Sequence, residues 1–412
     1  MNPPLQAKRL TLCITGGIAA YKVPELIRML TKEGIEVFPV ATVRALEFVA
    51  PLVLETLSGN PVMYSQKLEH ARIGHIERAQ CVDGILVAPA TANTIAKMAQ
   101  GIADNVLLDV LLASDPRRVI VCPAMNTAMW EHPSTCQNIE KLKGYGICVV
   151  DPDVGELACK TEGAGRLAPL QEILDAVKRL LAPKDLGGRS VVVTAGPTRE
   201  HFDAVRFLSN PSSGRMGIAL AKECWYRGAD VTLVLGPSEH PVPKEIRLER
   251  VTSALEMLEA LQRLISKDTI LIMNAAVADF RPSRMVPYKF RKAEVPLTLL
   301  LDPNQDILKT LAASKLPNQI FVGFAAETDG DRAIATAKRK MAEKSLDMII
   351  ANDVSKKTEG FSSAFNAGVI LLKEGEPKVV GRTSKEEMAT QIVDEIARLA
   401  ARTSSSALQE GQ

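Results

Sequence analysis

Apolar positions in the first 180 residues fall in short runs, Leu10 to Thr15, Glu36 to Thr42, Gly84 to Ala88, Val119 to Pro123 and Cys148 to Val150, of the length expected for buried strands. The stretches between them are amphipathic at helical spacing. Pro24 to Glu33 places Leu26, Ile27 and Leu30 on one face, with Pro24 suited to a first turn, and Thr91 to Ala99 predicts a second helix entered from a loop. Strands alternating with helices imply a parallel, doubly wound sheet. The pattern stops at Pro183-Lys-Asp-Leu-Gly-Gly188, a polar, Pro- and Gly-bearing stretch, and restarts with a strand from Ser190 to Thr194. Further strands are predicted at Asp230 to Leu235, Thr269 to Asn274, Ile320 to Phe324 and Asp347 to Ala351, with helices such as Met216 to Arg227 and Ala254 to Ser266 between them. Ala367 to Leu372 and Lys378 to Gly381 read as a hairpin, followed by a helix from Ser384 to about Leu399 and a frayed tail. The expected class is α/β, with two doubly wound, mainly parallel-sheet domains at 1–185 and 186–402, a flexible tail at 403–412, and no short-period repeat.

Length and composition narrow the picture. At ~150 residues per domain, 412 residues fit two to three domains, and 46% hydrophobic against 24% charged residues excludes bulk disorder, collagen and coiled coil. Aromatics at only 4% suit aliphatic parallel sheets better than an aromatic-rich β-sandwich. Fifty Lys and Arg against 48 Asp and Glu leave a formal charge of +2, too small to mark a binder of nucleic acid or anionic membranes, so small molecules are the expected partners. The seven cysteines are an odd number and form no C-x-x-C pair, which argues against a disulfide framework or structural zinc and fits a reducing, cytoplasmic compartment. Lys8-Arg9 ahead of Leu10 to Ala20 imitates a signal peptide, but Gly16-Gly17 interrupts the run, and a buried first strand accounts for it better. No apolar run reaches the ~18 residues of a membrane span.

Candidate chemistry in the first half sits where predicted strands end, the edge at which open α/β sheets bind ligands. Thr15-Gly-Gly-Ile-Ala-Ala-Tyr-Lys22 leaves the first strand and opens a helix, a place where glycines let backbone approach an anion; taken alone, such a turn serves as well to join strand to helix. His75, Ala88-Pro-Ala-Thr-Ala-Asn93 and Cys122-Pro-Ala-Met-Asn126 gather near the same edge. Gly163-Ala-Gly-Arg-Leu-Ala168 follows a polar loop rather than a strand, so it is no nicotinamide fingerprint. Together with Ala158-Cys159, these motifs resemble the flavin-dependent phosphopantothenoylcysteine decarboxylases, a homo-oligomeric family that binds FMN. The resemblance implies a flavodoxin-like FMN domain with Gly16, Gly17, Ile18, Ala19, Thr42, Pro89, Ala90 and Thr91 at the flavin. It makes His75 the active-site histidine, Asn126 the holder of the substrate carboxylate, and Cys159 the final proton donor on a mobile covering loop. Cysteine's carboxylate has no electron sink of its own, which a flavin supplies. A thiol with a reference pKa of about 8.5 can return the last proton. A lone cysteine is more often a small buried hydrophobe, but Asp151 to Gly165 is rich in Gly, Asp, Glu and Lys and reads as an exposed loop.

In the second half, Thr194-Ala-Gly-Pro-Thr-Arg-Glu200 leaves a strand, and Ser-Ser-Gly-Arg-Met-Gly217 opens the helix at Met216, where hydroxyls and peptide N–H groups face an anion or simply cap the helix. Asn274-Ala-Ala-Val-Ala-Asp279 ends another strand. Lys289-Phe-Arg-Lys292 is a basic cluster, and Asp302-Pro-Asn-Gln-Asp306 is expected to begin a helix. With Asn210-Pro-Ser-Ser-Gly-Arg-Met-Gly217 and Gly323-Phe-Ala-Ala-Glu-Thr328, these motifs resemble bacterial, CTP-using phosphopantothenate-cysteine ligases, and imply a Rossmann-like nucleotide domain. That family joins 4′-phosphopantothenate to cysteine through an acyl-cytidylate, with Mg2+ assisting. By resemblance Lys289 stabilises formation of the acyl-cytidylate, and Asn210 with Arg206 binds it. Ala275, Asp279, Asn304, Asp306, Ile307, Phe324, Lys340 and Lys344 make the CTP pocket; Lys338 competes with Lys340 for the phosphate role, and no metal ligands are assigned.

The two resemblances fit together as consecutive steps toward coenzyme A, ligation and then decarboxylation to 4′-phosphopantetheine. A flavoprotein or nucleotide sensor that has lost its chemistry is the rival reading, yet His75, Asn126, Cys159, Asn210 and Lys289 are all present. An NAD-dependent oxidoreductase lacks its fingerprint here.

Overall fold

The apolar runs of the first half form one parallel sheet. In chain order its unit contains β1 (Arg9–Ile14), α1 (Val23–Lys32), β2 (Glu36–Ala41), α2 (Pro51–Ser58), α3 (Gly74–Gln80), β3 (Gly84–Ala90), α4 (Ala92–Gln100), α5 (Val106–Leu112), β4 (Val119–Pro123), α6 (Thr127–Trp130), α7 (Pro133–Gly144), β5 (Cys148–Val149), the hairpin β6 (Asp153–Glu156) and β7 (Glu162–Arg166), and α8 (Leu170–Leu181). This is a computed structural model and describes residues 8–64, 74–156, 162–290, 298–327, 330–353 and 365–409. The sheet order is β2-β1-β3-β4-β5, with every neighbour parallel. Because β2 and β3 flank β1 on opposite sides, a crevice opens beyond the carboxyl ends of β1 and β3. One face buries Leu10, Leu12 and Ile14 against Leu26, Ile27 and Leu30 of α1 and Val177 of α8; the other buries Cys13, Ile85 and Val87 with Ile95 of α4 and Leu107 of α5. Each such aliphatic side chain contributes roughly 1.5–3 kcal/mol.

The second unit contains β8 (Ser190–Ala195), β9 (Arg199–His201), β10 (Phe207–Ser209), α9 (Arg215–Tyr226), β11 (Asp230–Leu235), β12 (Arg247–Arg250), α10 (Ala254–Leu264), β13 (Ile270–Met273), β14 (Phe280–Pro282), β15 (Leu301–Pro303), α11 (Ile307–Ala312), β16 (Ile320–Glu327), α12 (Gly330–Glu343), β17 (Met348–Asp353), β18 (Phe365–Leu372), β19 (Lys378–Ser384) and α13 (Lys385–Gln409). Its main sheet runs β12-β11-β8-β13-β16-β17-β18-β19. The first six strands are parallel and the last two turn antiparallel. Here the strand order reverses between β8 and β13, which sets the second crevice. The two compact units are Met1–Ala182 and Pro183–Gln412. Residues entering the second unit are held by Arg227, whose guanidinium is 5% exposed and pairs with Asp185 through Nε at 2.8 Å and with Asp394 of α13 at 2.7 Å.

Three sequence expectations change. The stretch read as an exposed loop from Asp151 to Gly165 is instead an antiparallel hairpin, β6 with β7. The helix expected to begin at Asp302 begins at Ile307, after a short strand that pairs with β14. The last helix continues through the expected tail to Gln409, in a stretch without Gly or Pro to stop it. Among the described residues, no helix is long and apolar enough to cross a membrane.

Candidate active sites

In each unit a buried threonine fastens the first strand to its neighbour at the crevice. Thr15 Oγ1 donates to Pro89 O at 2.7 Å and accepts from Thr91 N at 3.0 Å. Thr194 Oγ1 donates to Met273 Sδ at 3.3 Å and accepts from Asn274 N and Ala275 N at 3.1 and 3.0 Å. Both side chains are fully buried, so each bond fixes a strand end in a low-dielectric setting.

The first crevice holds a cleft of about 630 Å3, within the usual range for small-molecule sites. Gly17, Ile18 and Ala19 form one wall and Met125 and Asn126 another. Glu156 of β6 and Gly165 and Arg166 of β7 also line it. No side chain caps the helical turn Ile18–Lys22, which leads straight into α1. The two glycines divide their work. A Cβ on Gly16 would sit 2.2 Å from Arg44 Cγ, so this position is small because Arg44 packs on it, whereas Gly17 faces the cleft. Thr42 caps the turn that carries Arg44, accepting from Ala45 N at 3.2 Å. Pro89, Ala90 and Thr91 do not line the cleft, and Thr91 caps α4.

Asn126 caps α6, its Oδ1 accepting from Ala128 N at 2.9 Å. The hairpin is attached to this segment: Met125 N donates to Gly165 O at 2.9 Å, and a Cβ on Gly165, at φ +145°, would meet Met125 O at 2.3 Å. Its tip, with Cys159, lies outside the described residues. His75 is half-buried in the first turn of α3 and does not line the cleft. Ile18 and Tyr21 are more than half exposed along the cleft, an apolar lining that suits a flat ring system.

The second crevice holds a smaller and more polar cleft of about 300 Å3. It brings together Asn210, Ala275, Asp279 and Phe324 from the expected set. Asn210 is fixed by Nδ2 donating to Val277 O at 2.9 Å. Gly214 heads α9 in a left-handed conformation at φ +80°, with no side-chain cap on the helix. Arg206 is organised from outside the cleft by Asp203, as Nη1 stands 3.4 Å from its carboxylate. Lys289 is exposed and precedes Phe290, whose N–H donates to Asp203 at 3.2 Å; Arg291 and Lys292 lie outside the described residues.

The remaining expected nucleotide residues do not line this cleft. Asn304 donates to Ala278 O at 2.9 Å and so braces the Asp279 segment. Asp306 caps α11 and pairs with Lys344 at 2.8 Å; burial opposes this carboxylate's charge, but Lys344 and the Lys309 N–H outweigh it and hold its pKa below the usual range. Ile307 is buried in the core and Lys340 lies late in α12. Sequence reading missed Thr15, Thr194, Asn352, Asn366 and Lys385, the last three on the cleft wall. Thr15 and Thr194 stand within turns already singled out, whereas Asn352, Asn366 and Lys385 belong to no motif and come from three separate elements. Among the described residues, no three His, Cys, Asp or Glu side chains converge as a metal cage.

Comparison with known proteins matches residues 2–182 to the family described as "Flavoprotein" and residues 186–399 to "DNA/pantothenate metabolism flavoprotein C-terminal domain". The coenzyme A biosynthesis bifunctional protein CoaBC of Vibrio vulnificus (strain YJ016) is 40% identical over 399 residues, 96% of this chain and 98% of the relative. CoaBC of Bacillus subtilis (strain 168) is 40% identical over 406 residues, 97% of this chain and 99% of the relative. A crystal structure of the C-terminal domain of CoaBC is 35% identical with a TM-score of 0.46, covering 53% of this chain and 99% of that one. The chain belongs to the family of bifunctional coenzyme A biosynthesis proteins, CoaBC.

Proposed function

We propose that the second unit, Pro183–Gln412, joins 4′-phosphopantothenate to cysteine at the expense of CTP, and that the first, Met1–Ala182, decarboxylates the product to 4′-phosphopantetheine with FMN. The observation that carries this reading is the pair of clefts, one at each sheet's reversal point, in a chain aligned to CoaBC relatives over 96% of its length. The apolar wall of Ile18, Ala19 and Met125 beside the uncapped turn at Gly17 fits a flavin ring with a phosphate tail. When bound, FMN supplies the temporary electron sink that lets the cysteinyl carboxylate leave as CO2. Asn126, held by its cap bond, orients that carboxylate, and Cys159 donates the closing proton at carbon. His75 acts as the active-site histidine; its place off the cleft within one chain fits a site completed by a second copy in a homo-oligomer.

In the ligase unit, Asp279, Ala275 and Phe324 hold the nucleotide, Asn304, Asp306, Ile307, Lys340 and Lys344 support that pocket, and Asn210 and Arg206 hold the acyl-cytidylate. Lys289 neutralises charge as pyrophosphate leaves. Mg2+ needs only one or two carboxylates beside the CTP phosphates, so the lack of a protein cage among the described residues is compatible with it. A cytoplasmic location belongs to the same proposal, supported by seven cysteines without a C-x-x-C pair, which fit a reducing compartment.

The purified protein should be yellow or take up FMN, and should release pyrophosphate only with 4′-phosphopantothenate, CTP and Mg2+ together. A protein that refuses FMN would remove the decarboxylase assignment, and equal turnover with ATP would remove the CTP assignment.

A further inference from the structure

The inner end of the second cleft contains polar groups that the proposed ligase residues leave without a role. Asn366, 3% exposed near the start of β18, and Asn352, near the end of β17, each line the cleft with a buried Oδ1 that has no hydrogen-bond partner among the described residues. Lys385, also 3% exposed, opens α13 on the same wall. Arg215 begins α9 just after Gly214, at the uncapped helix start that lines the cleft. Of the three ionisable residues on the lining, Arg215 and Lys385 are basic and Asp279 is acidic. Burial, then the neighbouring Arg215, holds the Lys385 ammonium below the ordinary lysine range, against a smaller opposing pull from Glu386. A bound anion would relieve both penalties, and a buried acceptor without a partner costs free energy until a donor reaches it.

Resting on the ligase reading, we infer that this inner end is a subsite for a phosphate flanked by a hydrogen-bond donor, with Lys385 and Arg215 taking the phosphate and Asn352 and Asn366 accepting from the adjacent hydroxyl or N–H. Both phosphorylated substrates of the proposed ligation carry that combination. CTP has ribose hydroxyls and an exocyclic amine, and 4′-phosphopantothenate has a hydroxyl and an amide N–H.

The test is steady-state pyrophosphate release by the FMN-loaded full chain, with each substrate varied in turn. Lys385→Met should raise the KM of one phosphorylated substrate by about 10- to 100-fold, the loss of one charge-assisted contact, with Lys385→Arg recovering most of it. CO2 release from 4′-phosphopantothenoylcysteine should not change. A KM effect on CTP assigns the nucleotide's phosphate, and one on 4′-phosphopantothenate assigns the other. Asn366→Asp, which keeps the side-chain shape and adds a negative charge, should raise the same KM and decides the matter if Lys385→Met fails to fold. Unchanged KM values for both substrates in Asn366→Asp would overturn the subsite. If the wild type releases no pyrophosphate, the ligase reading fails instead. The subsite is then judged by whether inorganic pyrophosphate raises the melting temperature of the wild type and not of Asn366→Asp; no rise in the wild type overturns it.

Discussion

Asp203 is fully buried, and its carboxylate accepts from Val205 N at 2.7 Å, Arg206 N at 2.6 Å and Phe290 N at 3.2 Å while Arg206 Nη1 approaches from outside. One anion therefore aligns two of the three residues proposed to handle the acyl-cytidylate, Arg206 directly and Lys289 through its neighbour. Burial works against the charge, but the backbone donors and Arg206 outweigh it, so the folded pKa lies below the ordinary value. For a depressed carboxylate pKa, the stabilisation is complete above the unfolded value of about 3.9 and is lost as pH falls through the folded one. The wild type should accordingly resist urea better than Asp203→Asn by a constant margin between about pH 6 and 8, and the margin should shrink below about pH 4. Urea midpoints across that range check this; a margin that widens in acid would mean that the carboxylate does not hold the loop as an anion.

At the scale of elements, the β6–β7 hairpin supplies part of the lining of the first cleft through Glu156, Gly165 and Arg166. Gly165 can touch Met125 only without a side chain, so Gly165→Ala should push the hairpin off the segment that carries Asn126. CO2 release should fall at least ~10-fold, the cost of a misplaced positioning segment, while pyrophosphate release is kept. An unchanged decarboxylation rate would show that the hairpin does not shape the site. This hairpin was not legible in the sequence, because Gly155, Gly163 and Gly165 mask its strand alternation and its polar residues read as loop. The central strands were legible because a parallel strand covered on both faces is apolar throughout, as Gly84–Ala90 is. The turns at Gly17 and Gly214 were legible as strand-to-helix turns, since glycine beside a helix start is unusual enough to notice. The Asn352, Asn366 and Lys385 wall was not: its members come from three elements brought together when the antiparallel β18 and β19 extend the edge of the parallel sheet.

Across the whole molecule, two sheets of related winding carry clefts of different character. The larger is apolar, with Ile18, Ala19 and Met125, and suits a flavin; the smaller is polar, with Asn210, Arg215 and Asp279, and suits a nucleotide and a phosphate. Composition could foretell only small-molecule chemistry, since a charge of +2 leaves no electrostatic footprint for larger anionic partners. The most direct test of the account is to supply the FMN-loaded chain with 4′-phosphopantothenate, cysteine carrying a labelled carboxyl group, CTP and Mg2+, and to follow pyrophosphate, labelled CO2 and 4′-phosphopantetheine together. All three products should form in equal final amounts, with CO2 appearing only after pyrophosphate. Pyrophosphate without labelled CO2, or no product from either unit, would contradict it.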